Sequence, residues 1–456
     1  MLRDFTDTRR KIAFIGASYR FVHQAVRDFL VSGLLENTDI VLYDIDKEAE
    51  QLEHDLVSRM IRQKGSAITV DRAGSRAAAL DGANYVIVSV MVGAREATGA
   101  EYAVCREFGI TQTVGDTIGP MWASRSLRTV PLLLDIAEDM ERYCPQAPLL
   151  SVTNPMTVLT GAVNRHTRIA CFGICHGTGE QVKNIAAAFG AAVTDVSVDV
   201  VGVNHLGFIT RIEIKGEEIP TDQAIAAMGE VLEKEHFDAT AQQADEYLHS
   251  FRFFELTKLL PNNSDFHFTE FFPWFLAKHA FADGANVYGL NGSQLYNNEQ
   301  RIRNKQNLRE RITEMAYAPE ERGIPGLDRY GEENILDIIL GLEHRRFAKV
   351  SELHLNTTNG GAVPNLPADA NLELTCHVTP RGIQPIRYDP LPPYPLGVLM
   401  PIVCANELCM KAAVQKDKQA FIETLLLDPL LQEFNTVEQL ADRLWELNEK
   451  WWTPVK

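Results

Sequence analysis

Apolar runs at Ile12 to Ile15, Ile40 to Tyr43, Tyr85 to Val92, Leu149 to Val152 and Ile169 to Ile174 alternate with stretches of helical spacing such as Phe21 to Leu35. That cadence constrains the chain most. Short continuous apolar runs separated by amphipathic segments are what a parallel sheet buried between helical layers requires. Arg125 to Tyr143 places Leu127, Val130, Leu133, Leu134, Ile136 and Met140 on one helical face, as a long crossover helix would. Beyond about residue 210 the texture shifts to polar helical stretches, notably Ser293 to Tyr317, with strand-like segments at Val350 to Leu355 and Leu372 to Val378. The expected fold class is α/β: a Rossmann-like, doubly wound parallel sheet of lactate/malate dehydrogenase type, followed by a second α+β lobe. The division is placed as a nucleotide-binding domain over 1–205 and a substrate-binding and oligomerisation domain over 206–456. Four prolines in Tyr388 to Pro395 make a stiff connector before C-terminal helices.

The 456 residues exceed one ordinary core, which is why two lobes are expected. A formal charge of −17 opposes binding to nucleic acid or to anionic membrane surfaces and favours small-molecule chemistry. The N-terminal stretch is charged, and the longest apolar stretches are broken by proline or charge, so neither a secretory signal nor a membrane span is expected. Seven cysteines without tight spacing suit a reducing cytoplasm better than a disulfide framework.

Chemistry enters after the first strand. Gly16-Ala17-Ser18 offers the small residues that let backbone amides approach a pyrophosphate at a helix N-terminus, although a full dinucleotide fingerprint has three glycines. Asp44 ends the next strand, where a carboxylate binds ribose hydroxyls and favours NAD over NADP. Asn154, before Pro155, follows the Leu149 to Thr153 strand and is placed to meet both the nicotinamide ribose and a substrate hydroxyl. Cys175 and His205 each end a strand-like run, and such ends gather at the carboxyl edge of a parallel sheet. A thiolate with an imidazole suits a divalent transition metal. The bland alternatives are a turn, a buried cysteine and a core histidine.

Gly115-Asp-Thr-Ile-Gly-Pro120, Thr153-Asn-Pro-Met156, Gly173-Ile-Cys-His-Gly177, Gly202-Val-Asn-His-Leu-Gly207, Val363-Pro-Asn-Leu-Pro367 and Gly382-Ile-Gln-Pro385 occur in the order and spacing of one family. In these motifs the chain resembles the NAD- and metal-dependent family-4 glycoside hydrolases. The resemblance implies that Cys175 and His205 bind Mn²⁺, that Asn154 and His176 touch the sugar, and that Asp265 is an acid/base group. It further implies hydrolysis by oxidation at carbon 3, elimination of the aglycone after loss of the carbon 2 proton, water addition and re-reduction, with bound NAD recycled. Homodimers or homotetramers are implied as well. His176, rather than Asp, after the metal cysteine disfavours phosphosugars. The surrounding motifs look most like α-galacturonidases, then α-galactosidases, with α-glucuronides also within the class, and a uronide carboxylate would call on Arg95, Arg125 or Arg128. Two departures stand out. The nucleotide turn is one residue short, and Trp122 stands where relatives carry glycine, either reshaping the sugar pocket or packing a helix start. The competing reading is an NAD-dependent 2-hydroxyacid dehydrogenase, which shares the nucleotide fold, the Asn-Pro turn and a histidine.

Overall fold

The computed structural model describes residues 9–17, 21–236, 247–290, 294–331, 334–343 and 352–452. Six parallel strands form its first half: Arg10–Ile15 (β1), Thr38–Tyr43 (β2), Thr69–Arg72 (β3), Tyr85–Val88 (β4), Leu149–Ser151 (β5) and Cys171–Ile174 (β6). They lie in the order β3-β2-β1-β4-β5-β6. This is the doubly wound arrangement, in which the order reverses between β1 and β4. Every residue of β4 is buried, as are four consecutive residues of β1, because helices cover both faces. Those helices start and stop where local chemistry dictates. Lys47–Lys64 begins with the Asp46 carboxylate accepting the Ala49 amide at 3.0 Å and ends at Gly65 in the left-handed region.

The sheet does not end at β6. Glu352–Thr358 pairs antiparallel with β6, Leu355 opposite Ile174, and Asn371–Thr379 follows. Next come Val196–Val203 (β7), Leu206–Ile214 (β8) and the short Leu260–Pro261, all in one continuous sheet of 13 strands that includes two short flanking strands. The second half is therefore antiparallel and grafted edge-on to the first. The division expected at 205/206 lies within the tight turn between β7 and β8, whose strands pair directly, Val203 opposite Leu206.

The long crossover helix spans Pro120–Tyr143, five residues earlier than its apolar face announces, because Gly119 and Pro120 open it. Trp122 at its start is fully buried in the main core, the packing alternative of the two considered for it. The polar helix runs over Asn298–Tyr317 with Asn297 as its cap, so 294–297 precede it and Ser293 lies outside the described residues. Tyr388 to Pro392 is neither helix nor strand and leads into Pro393–Gln415. That helix is long and apolar enough to span a bilayer by length and composition, and half of its apolar window is buried, against Pro120–Tyr143, Met156–His166 and Lys418–Leu426.

Candidate active site

At the reversal point the chain needs glycine. Gly16 has φ +84°, and a Cβ there would lie 2.1 Å from the Ser89 carbonyl oxygen at the end of the neighbouring β4. Its amide and that of Ala17 both donate to the Tyr43 carbonyl, at 2.9 and 3.3 Å. Ser18, Tyr19 and Arg20 lie outside the described residues. Asp44 is where the sequence puts it, at the end of β2. Its Oδ1 accepts the Asp46 amide at 2.8 Å, and its own amide donates to the buried Glu50 at 2.7 Å. Backbone and carboxylate thus converge at the carboxyl end of β1 and β2, as a dinucleotide site requires.

A second centre lies at the junction of the two halves. Asp116, His205 and His267 offer ligand atoms that all lie within 4.8 Å of one another, enough to hold a metal ion. Three distant segments supply them. His205 sits in the β7–β8 turn at φ +68°, a strained conformation for a residue with a Cβ. His267 packs against it, ring centroids 3.7 Å apart and planes tilted by 35°. Asp116 stands on the loop before Pro120–Tyr143, with Oδ1 3.7 Å from His205 Nδ1. A carboxylate with two imidazoles is a donor set suited to Mn²⁺ and its first-row neighbours.

The charge state fits that use. Burial pulls His205 down to about 4, against the opposing attraction of Asp116, and drives His267 well below its ordinary value, so both rings are neutral ligands at pH 7. Burial opposes ionisation of Asp116, yet His205, Arg125, His267 and Arg301 bring it to about 2. With the imidazoles neutral at pH 7, the guanidiniums keep it ionised.

Two buried carboxylates hold this centre from beneath. Glu270 Oε1 accepts the amides of Thr113, Val114 and Gly115 at 2.7, 2.8 and 2.9 Å, fixing the loop that carries Asp116. Glu373 accepts Asn262 Nδ2 at 2.8 Å and the Thr178 hydroxyl at 3.3 Å, and also bonds the His205 backbone. Burial lifts each to about 7, against the pull of those hydrogen bonds. A chain of amides joins the halves. Asn154 Nδ2 donates to Asp116 Oδ2 at 3.0 Å, and Asn204 Nδ2 donates to Asn154 Oδ1 at 3.3 Å.

The other residues expected from the sequence divide. His176 follows β6 at the start of Gly177–Ala188, partly exposed, and its charge acts on both His205 and His267. Cys175, one residue earlier, is buried and its sulfur accepts the Gly177 amide at 3.5 Å; it is outside the three-residue metal group. Asp265 has both carboxylate oxygens on backbone amides, His249 at 2.6 Å and Ser250 at 2.7 Å, which caps the helix Leu248–Thr257. Arg128 is fully buried, with Nη1 and Nη2 on the Glu101 carboxylate and Nε on the Val92 carbonyl. It ties helices together and is not available to a substrate. Asp116 and His267 were not singled out by sequence reasoning. The Gly115 to Pro120 motif contained the first, but nothing in the Pro261 to Glu270 stretch distinguishes His267 until the fold packs it against His205.

Arg95 and Arg125 do face one environment, with Arg301 added from Asn298–Tyr317. Arg95 is lowered by burial and then by the charges of Arg301 and Arg125. Arg125 is buried, with Nε lacking a hydrogen-bond partner among the described residues and Nη1 4.0 Å from Asp116. Arg301 donates to the Thr113 carbonyl at 3.1 Å and lies over the Tyr296 ring at 4.7 Å.

The comparison with known families settles the lineage. The model for "Family 4 glycosyl hydrolase" matches residues 11–190, and that for the "Family 4 glycosyl hydrolase C-terminal domain" matches 200–431. The chain belongs to family 4 of the glycoside hydrolases. Among its relatives, an alpha-galactosidase of Bacillus subtilis strain 168 is 27% identical, covering 92% of this chain and 93% of that one. An alpha-galacturonidase of Lachnoclostridium phytofermentans is 28% identical, covering 94% and 93%. The fold matches a 6-phospho-alpha-glucosidase from gut microorganisms, solved in complex with NAD and Mn²⁺, at a TM-score of 0.80 and 18% identity over 98% of this chain and 100% of that one. Family membership sets aside the 2-hydroxyacid dehydrogenase alternative.

Proposed function

We propose that this family-4 hydrolase cleaves α-galacturonides, with α-galactosides as poorer substrates, using NAD and Mn²⁺ in one catalytic cycle. The observation that carries the substrate reading is the cluster of Arg95, Arg125 and Arg301, three guanidiniums near two carboxylates, Asp116 and, beside Arg125, Glu101, which Arg128 also pairs. A substrate carboxylate would relieve their mutual repulsion and meet Arg125 Nε, which is unpartnered among the described residues.

Gly16, Ala17, Ser18 and Asp44 would hold the dinucleotide, and His205, Asp116 and His267, joined by Cys175, the metal. When bound, NAD supplies a reversible hydride acceptor and Mn²⁺ a positive charge beside the sugar hydroxyls. The chain's own residues do the positioning. Asn154, fixed through Asp116 and Asn204, orients the reacting hydroxyl, and His176 at the partly exposed end of β6 moves protons at the sugar. Asp116, held ionised, is an acceptor and not a proton donor. Asp265 contributes by pinning the His267 segment to Leu248–Thr257. Seven free cysteines accord with a cytoplasmic enzyme. Tyr394, Val398, Pro401, Cys404 and Leu408, one incompletely covered stripe of Pro393–Gln415, offer a surface for a homodimer or homotetramer.

The test is sugar release from α-galacturonide, α-galactoside and a 6-phospho-α-glucoside, with and without NAD⁺ and chelator. Preference for the galacturonide, abolished by chelator and weakened toward the galactoside when Arg95, Arg125 and Arg301 are all changed to Ala, is expected. An unchanged preference in that variant would remove the anion site.

A further inference from the structure

Thr117 lies between Asp116 and His205 and touches both. Its hydroxyl is 3.2 Å from Asp116 Oδ1 and 2.6 Å from His205 Nδ1. It is buried, and its loop is fixed two residues upstream by the Glu270 clamp on Gly115. The hydroxyl donates its hydrogen to Asp116 Oδ1. The oxygen is then left to accept, and the group available to donate is Nδ1–H of the imidazole.

We infer that Thr117 is a positioning residue which fixes His205 as its Nδ1–H tautomer and so leaves on Nε2 the ring's one lone pair able to bind an ion. An imidazole ligand is set by what its other nitrogen donates to, commonly a carboxylate or carbonyl. Here that role passes through a threonine hydroxyl to a carboxylate of the same metal group. The relay orders two of the three ligands at once: rotation of Thr117 would release both the Asp116 oxygen and the His205 ring. It also helps to hold a turn residue in a disfavoured conformation, φ +68°, by anchoring its ring. The inference rests on the metal-centre reading of Asp116, His205 and His267.

The experiment uses the full chain in three forms: wild type, Thr117→Val, which keeps the shape and removes the hydroxyl, and Thr117→Ser, which keeps the hydroxyl. Two-bond ¹H–¹⁵N correlation of ¹⁵N-histidine-labelled, metal-free protein reads the tautomer, with His205 assigned by loss of its signal in His205→Gln. Calorimetric titration with Mn²⁺ reads affinity. Wild type and Thr117→Ser should show His205 protonated at Nδ1, and Thr117→Val should show a mixture or the other tautomer. Mn²⁺ affinity should fall about 10- to 100-fold in Thr117→Val and recover to within a few-fold in Thr117→Ser. A wild-type His205 protonated at Nε2, or Thr117→Val binding Mn²⁺ as tightly as wild type, would overturn the inference. Should Thr117→Val fail to fold, the wild-type tautomer and the Thr117→Ser affinity still decide it. Absence of Mn²⁺ binding by wild type would instead defeat the metal-centre reading, while the tautomer measurement continues to judge Thr117 alone.

Discussion

The parallel half of the sheet and the antiparallel half build their sites in different ways. At the carboxyl end of β1 the site is made of backbone, with one glycine, one carbonyl and one carboxylate all within about 30 residues of sequence. At the junction the site is made of side chains, with Asp116, His205 and His267 drawn from a loop, a turn and a short helix and held by Glu270 and Glu373. A backbone site tolerates little substitution at a few positions, whereas a side-chain site depends on a network whose members are each replaceable in shape but not in chemistry. The two should therefore fail separately.

The largest expected effect is at the junction. Asp116→Ala or His267→Ala removes one metal ligand from a group of three and should lower turnover by about 10³-fold, corresponding to several kcal/mol of lost charge stabilisation. Thermal midpoints should move little by comparison, and NAD⁺ affinity, read by fluorescence titration, should be retained. Cys175→Ser sharpens this further: an equal loss makes the thiolate a fourth ligand, while near-wild-type turnover confines the centre to the carboxylate and the two imidazoles.

Gly16→Ala attacks the other half. The added Cβ meets backbone at 2.1 Å in a conformation that L-residues seldom adopt, so β1 and β4 must part, at a cost of about 2 to 3 kcal/mol or more. NAD⁺ binding should weaken at least tenfold in the protein that remains folded, and Mn²⁺ binding should persist. Loss of both ligands together would show that the halves are one cooperative site.

Asp265→Asn tests a residue that sequence and structure describe differently. As a helix cap with two amide bonds it should lose about 1 to 2 kcal/mol of stability, seen in denaturant midpoints, and turnover should fall only in proportion. A hundredfold loss of turnover at unchanged stability would restore the acid/base role that the family resemblance implies.

The smallest effect on turnover belongs to a control outside both sites. Burial, then the neighbouring Asp28, raises Asp337 to about 6, while Asp28 itself is raised by burial and restrained by the Gly331 amide and Arg27. A carboxyl that binds its proton more tightly when folded destabilises the fold wherever it is ionised. Its penalty is complete above about pH 6 and relieved as pH falls through 6 toward 4. Asp337→Asn should thus gain about 1 to 3 kcal/mol at pH 8 and nothing at pH 4, by denaturant melts, with kinetics unaltered.

The comparison also explains what could be read from the sequence. The parallel strands were legible, and with them the places of Gly16, Asp44 and Asn154 just beyond strand ends, because each is tied to a local pattern: an apolar run, then a small or polar residue after it. His205 was legible because it closes β7 in the same manner. His267 was not, since its role arises from packing across 62 positions of sequence, and no periodicity encodes that contact. Arg128 was read as a partner for a substrate carboxylate for a similar reason. Whether an arginine faces a substrate or a buried glutamate depends on which helix packs behind it, and Glu101 settled that for Arg128. The antiparallel graft of Glu352–Thr358 onto β6 was equally invisible, because strand segments announce their existence but not their neighbours.

Proton NMR of α-galacturonide incubated with the protein, NAD⁺, Mn²⁺ and a thiol reductant in D₂O tests the central claim most directly. Deuterium at carbon 2 of the released sugar, with no net NADH, is the predicted result. Release of sugar carrying hydrogen at carbon 2, or NADH accumulating beside intact oxidised substrate, would contradict it.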